Sequence, residues 1–178
     1  IGFPDVAPRG PFQLRWTEVR LDGDLLYAVL GRTLVALNRR TGELLWRRES
    51  TQKATTYTIG DGKIFGLDYV GTQIGGRRRP ATVQGSMFAL DAGSGEPQWS
   101  RQVQYDSVPE HKVDHPRPWL LPPNPELVYN ARHGLIVLAA RRNSVRVFRA
   151  VDGEFVWEQS GLSGNVQRTY TPVVTDDY

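Results

Sequence analysis

The chain has 178 residues, with 22 Lys and Arg against 19 Asp and Glu and a formal net charge of +3. At 39% hydrophobic and 23% charged, it has the composition of a globular domain that can bury a core, not of a disordered tail. Zero Cys excludes disulfides, a Cys-ligated zinc, an iron–sulfur cluster, a thiol nucleophile and covalent c-type haem. No apolar run approaches the roughly 18 residues of a transmembrane segment, and so small a net charge gives no argument for a nucleic-acid partner.

Taken in chain order, the apolar segments alternate with turn residues and never show a helical period. Trp16–Leu21 and Leu25–Leu30 read as strands around a turn at Asp22-Gly23. A second pair, Thr55–Ile59 and Lys63–Asp68, flanks Gly60-Asp61-Gly62. A third, Leu127–Ala131 and Leu135–Ala140, flanks Arg132-His133-Gly134. Each pair is followed by a further hairpin, and these three hairpins are copies of one another.

Thr33 to Trp46 reads TLVALNRRTGELLW, Ser86 to Trp99 reads SMFALDAGSGEPQW, and Ser144 to Trp157 reads SVRVFRAVDGEFVW. Gly, Glu and Trp recur in register as Gly42, Glu43 and Trp46, then Gly95, Glu96 and Trp99, then Gly153, Glu154 and Trp157. Within each copy a short strand enters a four-residue turn. Thr41, Ser94 or Asp152 is placed to bond the local backbone, and the Gly takes a positive φ at the exit. A second strand then carries the Trp. The expected unit is a four-stranded antiparallel meander of about 40 residues, the size of a propeller blade.

The fold class is therefore all-β, a partial β-propeller in one domain over 1–178. Its blades run over about 14–50, 55–103 and 127–160. The segment 170–175 opens a fourth, because Thr169-Tyr170-Thr171 echoes Thr56-Tyr57-Thr58. Long loops are expected over 69–85 and 104–126. Three blades and one strand cannot close a ring, for which known propellers need at least four. The expectation is a piece of a larger propeller, completed by further sequence or another chain.

At LVALNRRTGELLW and MFALDAGSGEPQW, with a divergent VRVFRAVDGEFVW, the chain resembles the pyrroloquinoline-quinone (PQQ)-like repeat proteins, whose pattern is close to LYALDxxTGxxLW. The likeness covers about 14–178. It implies a propeller of eight, sometimes seven, blades and a structural docking motif made of Gly42, Trp46, Gly95, Trp99, Gly153 and Trp157. In such propellers each Trp packs on the turn of the adjacent blade, with its N–H on a backbone acceptor. Two branches of the family differ in function. The quinoprotein dehydrogenases hold PQQ and Ca²⁺ on the propeller axis. The non-enzymatic propellers, in the style of those that assemble outer-membrane proteins, bind other proteins.

Carboxylate and amide ligands for Ca²⁺ do not align into an axial set in this chain, and no Cys pair is available. No catalytic, cofactor or metal residue is assigned, and no cofactor is expected. His111, Asp114 and His115 form the sole His-bearing cluster, but Pro116 and Pro118 follow and the helix that would align the two His is not expected. His133 belongs to a hairpin turn. Arg77, Arg78 and Arg79 in one long loop and Trp119, between Pro118 and Leu120-Leu121, in the other are the candidate partner-binding residues. Arg39-Arg40, Arg47-Arg48 and Arg141-Arg142 read as surface. The favoured function is a non-enzymatic scaffold for protein–protein interaction, periplasmic or otherwise extracytoplasmic by resemblance, without a transmembrane segment. The alternative is a fragment of a PQQ-dependent dehydrogenase.

Overall fold

The computed structural model of the chain describes residues 16–50, 56–73, 82–106, 125–140 and 144–159. These residues form strands and turns, with no helix among them. The strands are β1 (Trp16–Asp22), β2 (Leu25–Leu30), β3 (Thr33–Asn38), β4 (Leu44–Glu49), β5 (Thr56–Gly60), β6 (Lys63–Gln73), β7 (Thr82–Asp91), β8 (Pro97–Asp106), β9 (Glu126–Asn130), β10 (Leu135–Ala140), β11 (Ser144–Arg149) and β12 (Phe155–Gln159). They pair as antiparallel meanders in chain order, β1-β2-β3-β4, β5-β6-β7-β8 and β9-β10-β11-β12. The all-β fold of propeller-type blades expected from the repeat is the fold observed. The first strand expected over 170–175 lies outside the described residues.

The sheets stack face to face because their middle strands are apolar on both sides. One core lies between the first two sheets. Tyr27, Val29, Leu34 and Ala36 of the first meet Tyr57, Ile64, Phe88, Leu90 and Ala92 of the second. A second core joins Phe65, Leu67, Met87 and Ala89 to Leu127, Ile136, Leu138, Phe148 and Ala150. Alternate residues of β6 and β7 thus serve opposite cores, as the period of two demands. The second sheet has one face toward its predecessor, the first, and one toward its successor, the third, and the corresponding faces of the other two sheets are named in the same way.

Two features were not in the sequence reading. First, the long loop expected over 69–85 is shorter. Tyr69 pairs with Gly85, Gly71 with Gln84, Thr72 with Val83 and Gln73 with Thr82, so β6 and β7 extend as a ribbon. An irregularity between Tyr69 and Gly71 carries the pairing past Val70. Gly71 hid the strand by breaking the alternation, although Thr72 and Val83 are β-branched and favour strands. Likewise β8 runs to Asp106 and β9 starts at Glu126, which trims the loop expected over 104–126.

Second, each repeat hairpin carries the same bulge. Ala36 pairs with Trp46 but Leu37 with Leu44. Ala89 pairs with Trp99 but Leu90 with Pro97, and Val147 pairs with Trp157 but Phe148 with Phe155. The extra residue is Leu45, Gln98 or Val156. It puts the Trp on the face toward the successor sheet, while Leu44, Pro97 or Phe155 stays on the other.

Candidate functional site

The turn before each Trp is built by a side chain at its entrance. In the first copy Asn38 Oδ1 accepts the N–H groups of Arg40 at 2.9 Å and Thr41 at 3.2 Å. In the second, Asp91 Oδ1 accepts from Ser94 N at 2.8 Å and Ser94 Oγ at 2.9 Å. These bonds to the charged form hold the Asp91 carboxyl below its ordinary pKa. The third copy has Arg149 at this place and recovers the turn differently. Arg149 donates to Asp152 Oδ1 at 3.2 Å and Oδ2 at 2.6 Å, and Asp152 Oδ1 accepts Glu154 N–H at 3.1 Å. Arg149 also lowers the Asp152 pKa. All three turns close with the same backbone bond. Gly42, Gly95 and Gly153 donate to the carbonyls of Asn38, Asp91 and Arg149 at 2.8 to 2.9 Å, and their φ values are 74°, 76° and 70°. That conformation suits glycine alone at low cost.

A turn of this shape exposes one carbonyl to its neighbour. Ala92 donates its N–H to Gly62 O at 2.9 Å, and Ala150 donates to Gly134 O at 2.8 Å. Their carbonyls face the preceding sheet. Trp46 Nε1 donates to Ala92 O at 3.0 Å, and Trp99 Nε1 donates to Ala150 O at 3.0 Å. The indole rings lie against the two glycines. A Cβ at Gly95 would sit 2.7 Å from the Trp46 ring, and one at Gly153 would sit 2.6 Å from the Trp99 ring. Each glycine is thus required by its φ and by the ring pressed onto it. A buried indole needs one acceptor for its N–H, and the turn supplies it.

Further polar contacts line the junctions. Tyr27 Oη donates to the same Ala92 carbonyl at 3.1 Å. Tyr57 donates to the Glu18 carbonyl and Tyr129 to Asp61. The Tyr129 ring lies over Gly60, where a Cβ would meet it at 2.0 Å. Burial pushes the Tyr27 phenol up to about 12, with smaller contributions from the charges of Asp22 and Asp91. Burial also pushes Tyr129 up to about 12, aided by Asp61, and it raises Tyr57 further against the opposing charge of Arg20. Arg101 Nε donates to Asp152 O at 3.1 Å. Arg48 was expected at the surface, yet it is half-buried, pairs with Asp68 at 2.7 Å and lies 3.7 Å over the Phe88 ring. The Arg stem follows the apolar face, and the charge finds its partner on the next sheet.

The successor face of the third sheet is in part open to solvent, although Val147 on it is 2% exposed. Val137, Ala139 and Val145 are half-buried, whereas Tyr27, Val29 and Leu34 of the first sheet and Phe65, Leu67 and Met87 of the second, at the same register, are 0 to 2% exposed. Trp157 is 47% exposed, and Val151 on its turn is 76% exposed. The charged residue of the middle strands on this face is Arg149, at its end, paired with Leu135.

Of the residues singled out in the sequence, Trp46, Gly95, Trp99 and Gly153 are brought together at two junctions. Gly42 and Trp157 occupy the same local positions at the two ends of the stack. Arg77, Arg78, Arg79, Trp119, His111, Asp114 and His115 lie outside the described residues. His133 is exposed in its turn, with its backbone N–H on Asn130 Oδ1 at 2.9 Å. Asn38, Asp91 and the Arg48–Asp68 pair escaped the reading. The Asn or Asp was visible as the last residue of VALN and FALD; the ion pair left no local trace.

Two measurements test this geometry. Trp99→Ala is expected to cost roughly 3–5 kcal/mol in urea unfolding, as large aromatic truncations do, while Trp157→Ala costs under about 1 kcal/mol, as at an exposed site. Equal losses would contradict the difference between the covered and the open face. The raised tyrosines make stability fall in alkali. An unfolded tyrosine ionises near 10, whereas Tyr27 and Tyr129 stay neutral up to about 12. Their contribution is complete below about pH 10 and is lost as the pH rises toward 12. The urea midpoint should hold from pH 8 to 9.5 and drop by pH 11, less steeply in Tyr129→Phe; a parallel drop in the variant argues against Tyr129.

A family model described as outer membrane protein assembly factor BamB matches residues 13–178. No curated protein matches the chain. Among solved structures, it is similar to the computationally designed Ika4 protein, with a TM-score of 0.55 at 14% identity over 85% of this chain and 76% of that one. It is also similar to the quinohemoprotein alcohol dehydrogenase ADHIIG from Pseudomonas putida HK5, with a TM-score of 0.50 at 17% identity over 79% of this chain and 25% of that one. BamB from Moraxella catarrhalis superposes with a TM-score of 0.28 at 20% identity over 74% of this chain and 49% of that one. The first two likenesses speak to fold alone, and the chain spans only a quarter of the dehydrogenase and about half of that BamB. The match over nearly the whole sequence assigns the chain to the BamB family of PQQ-like propeller proteins.

Proposed function

We propose that the chain is a non-enzymatic binding or scaffolding segment of a larger β-propeller, acting through protein–protein contact in the periplasm or another extracytoplasmic space. The observation that carries this reading is the open successor face of the third sheet. Contiguous apolar surface of this kind marks an interaction site. Trp46 and Trp99 contact the turn of the following sheet, and Trp157 presents the same indole to solvent. In this reading Gly42, Trp46, Gly95, Trp99, Gly153 and Trp157 form one docking motif. The partner is a protein surface that covers Trp157 with a backbone carbonyl and an apolar sheet, as a further blade does. Arg77, Arg78, Arg79 and Trp119 are proposed as additional contacts. Family membership supports the reading, since the family is named for outer-membrane protein assembly. Among the described residues no helix is long and apolar enough to cross a membrane.

The alternative is a fragment of a quinoprotein dehydrogenase, and the fold likeness to one raises it. Its cofactor would need a cluster of oxygen ligands for Ca²⁺. Among the described residues, no three His, Cys, Asp or Glu side chains gather as such a cluster, so these residues do not fit that site. The deciding measurement is made on the intact protein, after incubation with PQQ and Ca²⁺. No quinone absorbance retained on gel filtration and no Ca²⁺-dependent dye reduction with alcohols or sugars is expected. Retained quinone with turnover would overturn the scaffold reading.

A further inference from the structure

The shared Trp–Gly contact does not say which sheet belongs beside which. Each successor face carries a Trp, and each turn carries the same Gly. A chain of such copies can mispair within itself or with a neighbour, a characteristic failure of repeat proteins. Something must distinguish one junction from the next.

Among the described residues, the junction between the first and second sheets holds a device that the other lacks. Arg48 Nη2 lies 2.7 Å from Asp68 Oδ2, and Ser50 Oγ donates to Asp68 Oδ1 at 2.6 Å. The Asp68 side chain is 6% exposed. The Arg48 guanidinium stacks 3.7 Å over the Phe88 ring. That ring lies across Gly66, where a Cβ would clash with it at 2.2 Å. Gly66, Phe88 and Asp68 of the second sheet thus form a seat for one guanidinium and one hydroxyl.

Register shows how specific the seat is. Asp68 pairs with Ser86, Leu30 with Thr33 and Ala140 with Ser144, so the residues at this place in the three sheets are Leu30, Asp68 and Ala140. The residue two beyond each Trp is Arg48, Arg101 or Gln159. The residue four beyond is Ser50, Val103 or Gly161. The second sheet alone brings the carboxylate, and the first alone brings both donors. If the third sheet took the place of the first, Gln159 would face Asp68 and no cation would reach it. If another second sheet did so, Arg101 would arrive with Val103, and one carboxylate oxygen would lose its hydroxyl. If the first sheet packed on the third, Arg48 would meet Ala140.

We propose that Arg48, Ser50 and Asp68 are specificity-determining residues that admit only a Trp-x-Arg-x-Ser blade onto the second sheet and so fix the order of the blades. Two of these mispairings leave a charge without its partner, a penalty that far exceeds the net worth of the pair itself, and the third leaves one buried carboxylate oxygen without its hydroxyl donor. The contribution is to order more than to stability.

The test uses the full 178-residue chain, unfolded in urea and refolded over a range of concentrations. Arg48→Met with Asp68→Leu removes both charges and keeps the bulk. This double variant is expected to keep the parent's urea midpoint, because apolar replacement of a buried pair is close to neutral. On refolding it should give a several-fold larger fraction of dimers and larger species by size exclusion, relative to protein never unfolded. Either single substitution should lower the midpoint by stranding a charge. If the apolar double variant does not fold, Arg48→Gln with Asp68→Asn is read by the same criterion. A double variant that refolds to the parent's size distribution overturns the proposal, as does a loss of midpoint with no change in that distribution. Neither outcome bears on the quinone assay, so the two readings fail separately.

Discussion

The structure depends on a single contact repeated at its junctions: an indole of one sheet pressed onto a glycine of the next. Trp46 on Gly95 and Trp99 on Gly153 leave no room for a Cβ, and each N–H reaches the carbonyl three residues before the glycine. The turn must present that carbonyl outward, so its shape is held from within by Asn38, Asp91 or the Arg149–Asp152 pair. The bulge before each Trp must aim the ring at the successor. Turn, bulge and glycine are three local requirements of one nonlocal contact.

That contact explains why the repeat tolerates change in some places and not in others. The third copy loses the Asn or Asp that builds the first two turns. It keeps the turn because Asp152 still caps Glu154 N–H and Arg149 ties Asp152 down. Different side chains therefore yield the same backbone bond and the same positive φ. The glycine has no such substitute, since both its φ and its missing Cβ are in use.

The alternating apolar pattern made the four-stranded units readable, and the Gly-x-x-x-Trp spacing made their repetition readable. Both are local and periodic. The bulge was hidden because one extra residue before Trp looks like an ordinary strand. The β6–β7 ribbon was hidden because Gly71 interrupts the pattern that Thr72 and Val83 continue. Arg48 was misread as surface for a deeper reason. Its partner Asp68 is on another sheet, twenty positions along the chain, and neither residue has a periodic context that announces it. Side chains that join sheets are set by the stacking, which no window of sequence contains.

The stacking also explains what the open face means. At the first two junctions the middle strands are buried on both sides, and their sequences are apolar on both sides. The third sheet has the same two-sided pattern, with Val137, Ala139 and Val145 on the side that solvent reaches. A sheet meant to end a stack has no physical reason to keep aliphatic residues and an indole there, because polar residues would serve solubility better. The third sheet carries on that side what the first and second carry where they are covered, and its chemistry asks of any covering surface what the second and third sheets already give their predecessors: aliphatic side chains over the strands and one carbonyl for the indole N–H.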